Sequence, residues 1–164
     1  MTRRIRSTLL AVASLALGSY TQAGLLDSPP PAFGDLPGQV VFRMGPVYYH
    51  PGEADTIVTC TNADDVPARV ALELFDQADQ PVGTLVQAAL AVRGTVNFVT
   101  SANSTRDYWV VIENLSALDH GKARVSATTT RLSCTAYHRI RASDGTIQEK
   151  ALELVKKVPH RPRR

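Results

Sequence analysis

Four histidines, two cysteines and Met44 are the residues of this 164-residue chain with the most scope for metal or redox chemistry. Neutral imidazole is the commonest transition-metal ligand, and Met44 could join it as a soft copper ligand. None of His50, His120, His138 and His160 lies in H-x-H, H-x-x-x-H or H-E-x-x-H spacing. A copper or zinc site would therefore need His50, His120 and His138 to converge from separate loops. On the plainer reading, His50 and His120 occupy surface turns and His138 lies near a strand end.

The cysteines support a firmer expectation. Cys60 in TIVTCTN and Cys134 in RLSCTAYHRI both sit in β-rich alternating runs and not in C-x-x-C spacing, which disfavours redox catalysis and a zinc finger. Two cysteines allow one intramolecular pairing, so Cys60 and Cys134 are expected to form a structural disulfide. Closing a loop of about 75 residues constrains the unfolded chain by about 4 kcal/mol in the loop-entropy picture.

The carboxylates and hydroxyls give less. Glu73, Asp76 and Asp79 are close in sequence, but the first falls in a strand and the others flank a turn, where Asp bonds its own backbone. They lack the regular oxygen spacing of a calcium loop. No G-x-S-x-G occurs, and no Ser, His and acid group is marked out by local sequence. No catalytic residue, metal ligand or cofactor is assigned, and the chain reads as a non-enzymatic protein. A metal-binding protein and a hydrolase of unknown class are the alternatives. Asn103-Ser104-Thr105 and Asn114-Leu115-Ser116 match the glycosylation acceptor pattern, which has meaning only in a eukaryotic secretory pathway.

The segments that would carry these residues begin with a secretory signal over residues 1–23. Arg3, Arg4 and Arg6 precede an apolar stretch from Leu9 to Leu17, and small residues lead to a cut after Ala23. That stretch is too short to span a bilayer, which takes about 20 residues. The mature chain is expected to be exported and soluble, in the periplasm or outside the cell. Without the three signal arginines its basic residues fall from 18 to 15, which balances 15 acidic residues. Five of those basic groups lie in the closing KKVPHRPRR, so the alkaline pI of about 9.1 belongs to a tail and argues against a nucleic-acid partner. The tail, residues 159–164 with Lys156 and Lys157 before it, is expected to make at most weak contact with an anionic surface.

Residues 24–38 hold a three-proline run and read as a proline-rich arm or linker, with Leu25, Leu26 and Phe33 as the apolar residues able to latch onto a domain. Residues 39–158 then read as one β domain. QVVFRMG and VYY form a strand interrupted at Gly45-Pro46, and His50-Pro51-Gly52 turns the chain. DTIVTCTN places Cys60 on an inward face, and ARVALELFD alternates Val70, Leu72 and Leu74 against Arg69, Ala71, Glu73 and Phe75. Residues 85–92 read as strand and loop, TVNFVTSA as a strand, and DYWVVIE, with the only tryptophan, Trp109, as the central strand.

In residues 121–140 the inward phase changes. Ala123, Val125 and Ala127 are odd, whereas Leu132, Cys134 and Ala136 are even, so one regular strand cannot bury both sets. A hairpin turn near residues 128–130 is the expected solution, with a bulged strand bending between sheets as the alternative. Residues 146–156 close the chain as a further strand, with a short helix as the alternative. About eight short strands with turns every 8–12 residues define an all-β fold, an Ig-like antiparallel β-sandwich with one disulfide. Trp109 lies too late in the chain for the core tryptophan of a true immunoglobulin domain.

The segments CTN (60–62), HGKARVSA (120–127) and CTAYHR (134–139) resemble a pattern in small exported bacterial β-sandwich proteins of uncharacterised function, over residues 40–158. The resemblance implies export and a β fold and no particular activity. The expected function is an exported module that binds or packs against an unknown macromolecular partner. VYYHPG (47–52) and LSALDHGK (115–122) are its candidate contact loops, since tyrosine is favoured at interfaces.

Overall fold

The computed structural model describes residues 28–101 and 109–157. The signal segment, Leu25, Leu26, the Asn103 acceptor, His160 and the basic tail of residues 159–164 lie outside the described residues.

Ten strands form two packed five-stranded sheets, an all-β sandwich. They are β1 (Gln39–Tyr49), β2 (Ala54–Asn62), β3 (Ala68–Phe75), β4 (Pro81–Leu90), β5 (Thr95–Val99), β6 (Trp109–Val111), β7 (Leu118–Ala127), β8 (Leu132–Arg141), β9 (Ile147–Leu152) and β10 (Leu154–Lys156). One sheet has the order β10-β1-β7-β3-β4 and the other β6-β5-β2-β8-β9. All pairings are antiparallel except β5 with β6, which is parallel. The period-2 pattern of each strand explains the core between the sheets: Phe42, Met44, Val58, Cys60, Val70, Leu72, Leu74, Val96, Phe98, Ala123, Val125, Leu132 and Ala136 all point into it.

Cys60 and Cys134 form the expected disulfide. They are direct cross-strand partners of β2 and β8, with Cα atoms 4.2 Å apart, the spacing of a non-hydrogen-bonded antiparallel pair. The bridge therefore staples neighbours within one sheet. The two strands do not face each other across the core, as the cysteines of an immunoglobulin domain do.

The phase change in residues 121–140 has a different solution from the expected hairpin. β7 and β8 belong to opposite sheets, and residues 128–131 arch from one to the other. Odd residues of β7 and even residues of β8 then both face the core, as the side-chain period demands. The arch is held by Thr128 N–H on the Arg69 carbonyl (3.0 Å) and by Ala63 N–H on the Arg131 carbonyl (2.8 Å). Buried Asn62 ties the same end together, donating through Nδ2 to the carbonyls of Val66 (2.8 Å) and Ala91 (3.1 Å).

Two other expectations change with the topology. DYWVVIE is not central, because β6 is a three-residue edge strand. Its apolar character comes from lying where the two sheets meet: Ile112 is buried, and the Glu113 carbonyl accepts from Thr84 N–H of β4 at 2.9 Å. Residues 146–156 do form strand, but the chain crosses at Glu153, so β9 edges one sheet and β10 the other. Gly45-Pro46 sits inside β1 as a bulge against β7, where three steps on β1 match two on β7 between Met44 and Val47.

The described part of the arm, residues 28–38, is docked on the sandwich. Phe33 is 1% exposed, and the chain turns back after it through Gly34, whose φ of 67° suits glycine. Gly38 then passes so close beneath that a Cβ there would lie 2.8 Å from the Phe33 ring.

Candidate functional site

Alternating strand directions bring the β1–β2 turn, the β3–β4 turn and the start of β7 to one end of the sandwich. The two candidate contact loops meet there. The Tyr48 hydroxyl is 2.8 Å from His120 Nδ1, with the two rings in edge contact at 5.0 Å between centroids. His50 Nε2 donates to Asp119 Oδ1 at 2.7 Å. Gln77 from the β3–β4 turn donates to the Asp119 carbonyl at 3.3 Å.

Local sequence sets this geometry. Val47 pairs with Gly121 and Tyr49 with Leu118, so β7 carries one residue more than β1 across this step. The bulge holds His120 at φ 52°, in the left-handed region. Gly121 is required beside it, because a Cβ would stand 2.5 Å from a methyl of buried Leu118.

His138 approaches the same tyrosine from inside. It is 4% exposed, and its ring meets the inner edge of Tyr48 at 4.9 Å between centroids. The Thr56 hydroxyl donates to the Tyr48 carbonyl at 2.9 Å, so its oxygen accepts from His138 Nδ1 at 3.0 Å. That tautomer leaves His138 Nε2 without a hydrogen-bond partner. Burial lowers the His138 pKa; the Pro46 carbonyl opposes this and Lys150 on β9 reinforces it.

His120 and His138 thus flank Tyr48 and His50 lies on the same end of the sandwich, without forming a ligand set. His50 is taken by Asp119, His120 by the Tyr48 hydroxyl and His138 by Thr56. Among the described residues no group of three His, Cys, Asp or Glu side chains is arranged to hold a metal ion. Met44 is a core residue, 5% exposed. The three clustered carboxylates separate too: Glu73 pairs with Arg124, Asp79 with Lys122 at 2.6 Å, and Asp76 Oδ1 accepts the Gln80 N–H of its own turn at 2.8 Å. The Asn114 side chain is spent on Thr84 Oγ1 at 3.1 Å.

Beside the Tyr48 cluster lies a small cavity of about 160 Å³, lined by residues that include His50, Glu53, Asp55, Arg139 and Arg141. Its floor is an ion pair absent from the sequence reading. Arg139 Nε donates to both oxygens of Asp55 at 3.1 and 3.2 Å, and Nη2 donates to Oδ2 as well. The hydrogen bond to Asp55 raises the Arg139 pKa further. Asp55 faces Arg139 in the β2–β8 register, two steps along from Ile57 and Tyr137. Opposite charges at paired positions would have marked it once the strand pairing was known.

Arg124 is the other residue that sequence reasoning missed. Its even position in a strand with odd inward residues puts it on the face away from the core, yet it is 2% exposed. Comparison with family models, with curated proteins and with solved structures finds no match to this chain. No helix among the described residues is long and apolar enough to cross a membrane.

Proposed function

We propose that this chain is an exported β-sandwich that works by contact with another macromolecule and not by catalysis. The observation that carries the reading is the joining of residues 47–52 and 115–122 into one surface, through Tyr48 with His120 and His50 with Asp119. A half-buried tyrosine, backed by buried His138 and edged by exposed His120, presents an aromatic surface with a polar rim, the composition favoured at interface centres. The disulfide supports placement in an oxidising compartment, since such bonds are rare in the cytosol.

The test uses the mature chain immobilised against an extract of exported proteins, beside a Tyr48→Ser/His120→Ser variant of matched stability. Wild type should retain a species that the variant releases. Equal retention by both would remove the surface from consideration.

A further inference from the structure

The outer face of the β10-β1-β7-β3-β4 sheet carries a built polar site. Arg124 sits at its centre, with Nε and Nη2 on the two oxygens of Glu73 at 2.6 and 2.9 Å and its guanidinium 5.2 Å from the centre of the Phe75 ring. The guanidinium also faces the arm: Nη1 donates to the Ser28 carbonyl at 2.7 Å, and Nη2 further donates to the Ser28 hydroxyl at 3.1 Å and the Pro29 carbonyl at 3.2 Å. Gln87 of β4 donates to the Ala32 carbonyl at 3.2 Å, and Phe33 is fully enclosed.

The chemistry of this cradle selects its ligand. Three consecutive prolines have no N–H, so such a segment cannot join a β ladder as a donor and can be held only through its carbonyls. A guanidinium supplies the donors for that, fixed in place by Glu73. Phe33, two places after the last proline, is buried at the end of the segment, where Gly38 passes beneath its ring. The segment Ser-Pro-Pro-Pro-Ala-Phe is the one ligand seen to satisfy all of these demands, and every copy of the chain carries both it and its receptor.

We propose that this face is an arm-exchange site, at which residues 28–33 of a second copy replace the resident arm and join two copies. Exchange preserves the contacts of residues 28–32 with Arg124 and Gln87 but opens the turn that joins Phe33 to Leu36 and Gly38, so the equilibrium turns on the cost of opening that link and on concentration. A short tether holds the resident arm at an effective concentration in the millimolar range. Exchange therefore belongs to crowded or surface-clustered protein, and dilute solutions stay closed.

The test is complementation between full mature chains. Phe33→Ala spoils the arm and keeps the site; Arg124→Met spoils the site and keeps the arm. Each variant alone should sediment as a monomer, and their mixture near 1 mM should contain a heterodimer, because one sound arm meets one sound site only in trans. A mixture that stays monomeric, with both variants folded by circular dichroism, overturns the proposal. So does a dimer that persists when a Phe33→Ala/Arg124→Met chain is used alone, since its interface would lie elsewhere.

If Arg124→Met fails to fold, a labelled peptide of residues 28–34 replaces it. The Phe33→Ala chain should bind this peptide at least ten-fold more tightly than wild type, whose own arm competes, and should ignore a peptide with alanine for phenylalanine. Binding of both peptides alike, or of neither up to several millimolar, overturns the proposal.

Discussion

Replacing Cys60 and Cys134 together by alanine should lower stability by about 4 kcal/mol, a large share of the 5–15 kcal/mol typical of a domain. The figure follows from the 74-residue separation of the bonded cysteines. With a closed loop of that size the chain-entropy expression gives about 15 cal/mol/K, or about 4.5 kcal/mol at 25 °C. The native side of the balance should change little. Val58 still faces Ala136 and Asn62 still faces Leu132 on either side of the bond, so the β2–β8 ladder keeps its register without it. Burial of two sulfur atoms is partly lost, Cys60 being fully enclosed, and this adds to the loss.

The assay is urea unfolding followed by far-UV circular dichroism. The alanine variant should show a lower midpoint and a larger dependence on urea, because its unfolded chain is free to expand and exposes more surface. The native wild-type protein should react with no thiol reagent until it is reduced and unfolded. Two free thiols in the native protein kept under oxidising conditions would refute the reasoning outright. A loss below about 1 kcal/mol with unchanged urea dependence would also refute it, since a bond across this loop length cannot leave the unfolded state unaffected.

Three further outcomes follow from the same contacts. His138 has its pKa held below the ordinary 6.5 by burial, so below pH 6.5 the unfolded chain binds the proton first; stability should be level above that pH, fall as pH drops from there to the lowered folded value and level off beneath it, and His138→Gln should remove that fall from the urea midpoint. No change of slope in that window would remove His138 as its source. Asp55→Asn leaves the partly buried Arg139 with a weakened partner and should cost about 2 kcal/mol in thermal or urea unfolding, while Asp65→Asn, whose partner Arg93 is well exposed, should cost less than about 0.5 kcal/mol. Gly121→Ala forces a methyl against Leu118 and should destabilise by about 1–3 kcal/mol, with Leu118→Ala in the same chain recovering part of the loss.

How far the sequence could be read depended on the range of the interaction. Period-2 alternation is set by each residue and its chain neighbours, so the strands bearing Val70, Leu72 and Leu74, or Val96 and Phe98, were legible as they stand. The break in phase within residues 121–140 was legible for the same reason, but not whether the chain folds back on its own sheet or crosses to the other. That choice rests on pairings made far along the chain, β7 with β1 and β3 and β8 with β2. The same holds for the candidate site. Tyr48, His50 and His120 were singled out as loop residues, but their union depends on a β1–β7 register with two opposed bulges that no local pattern encodes.

The sequence by itself determined the all-β class, the presence of a two-sheet sandwich and the partner of each cysteine, because composition, alternation and a count of two leave little freedom. Only the tertiary structure decided that the bridge lies within one sheet, that Asp55 and Arg139 floor a cavity, and that His138 faces inward onto Thr56. It alone decided the fate of Arg124. The outward phase of β7 implies solvent, and the arm that removes that solvent lies about 95 residues earlier in the chain. Burial is a property of what covers a residue, and a covering segment distant in sequence leaves no trace in the residue's own neighbourhood.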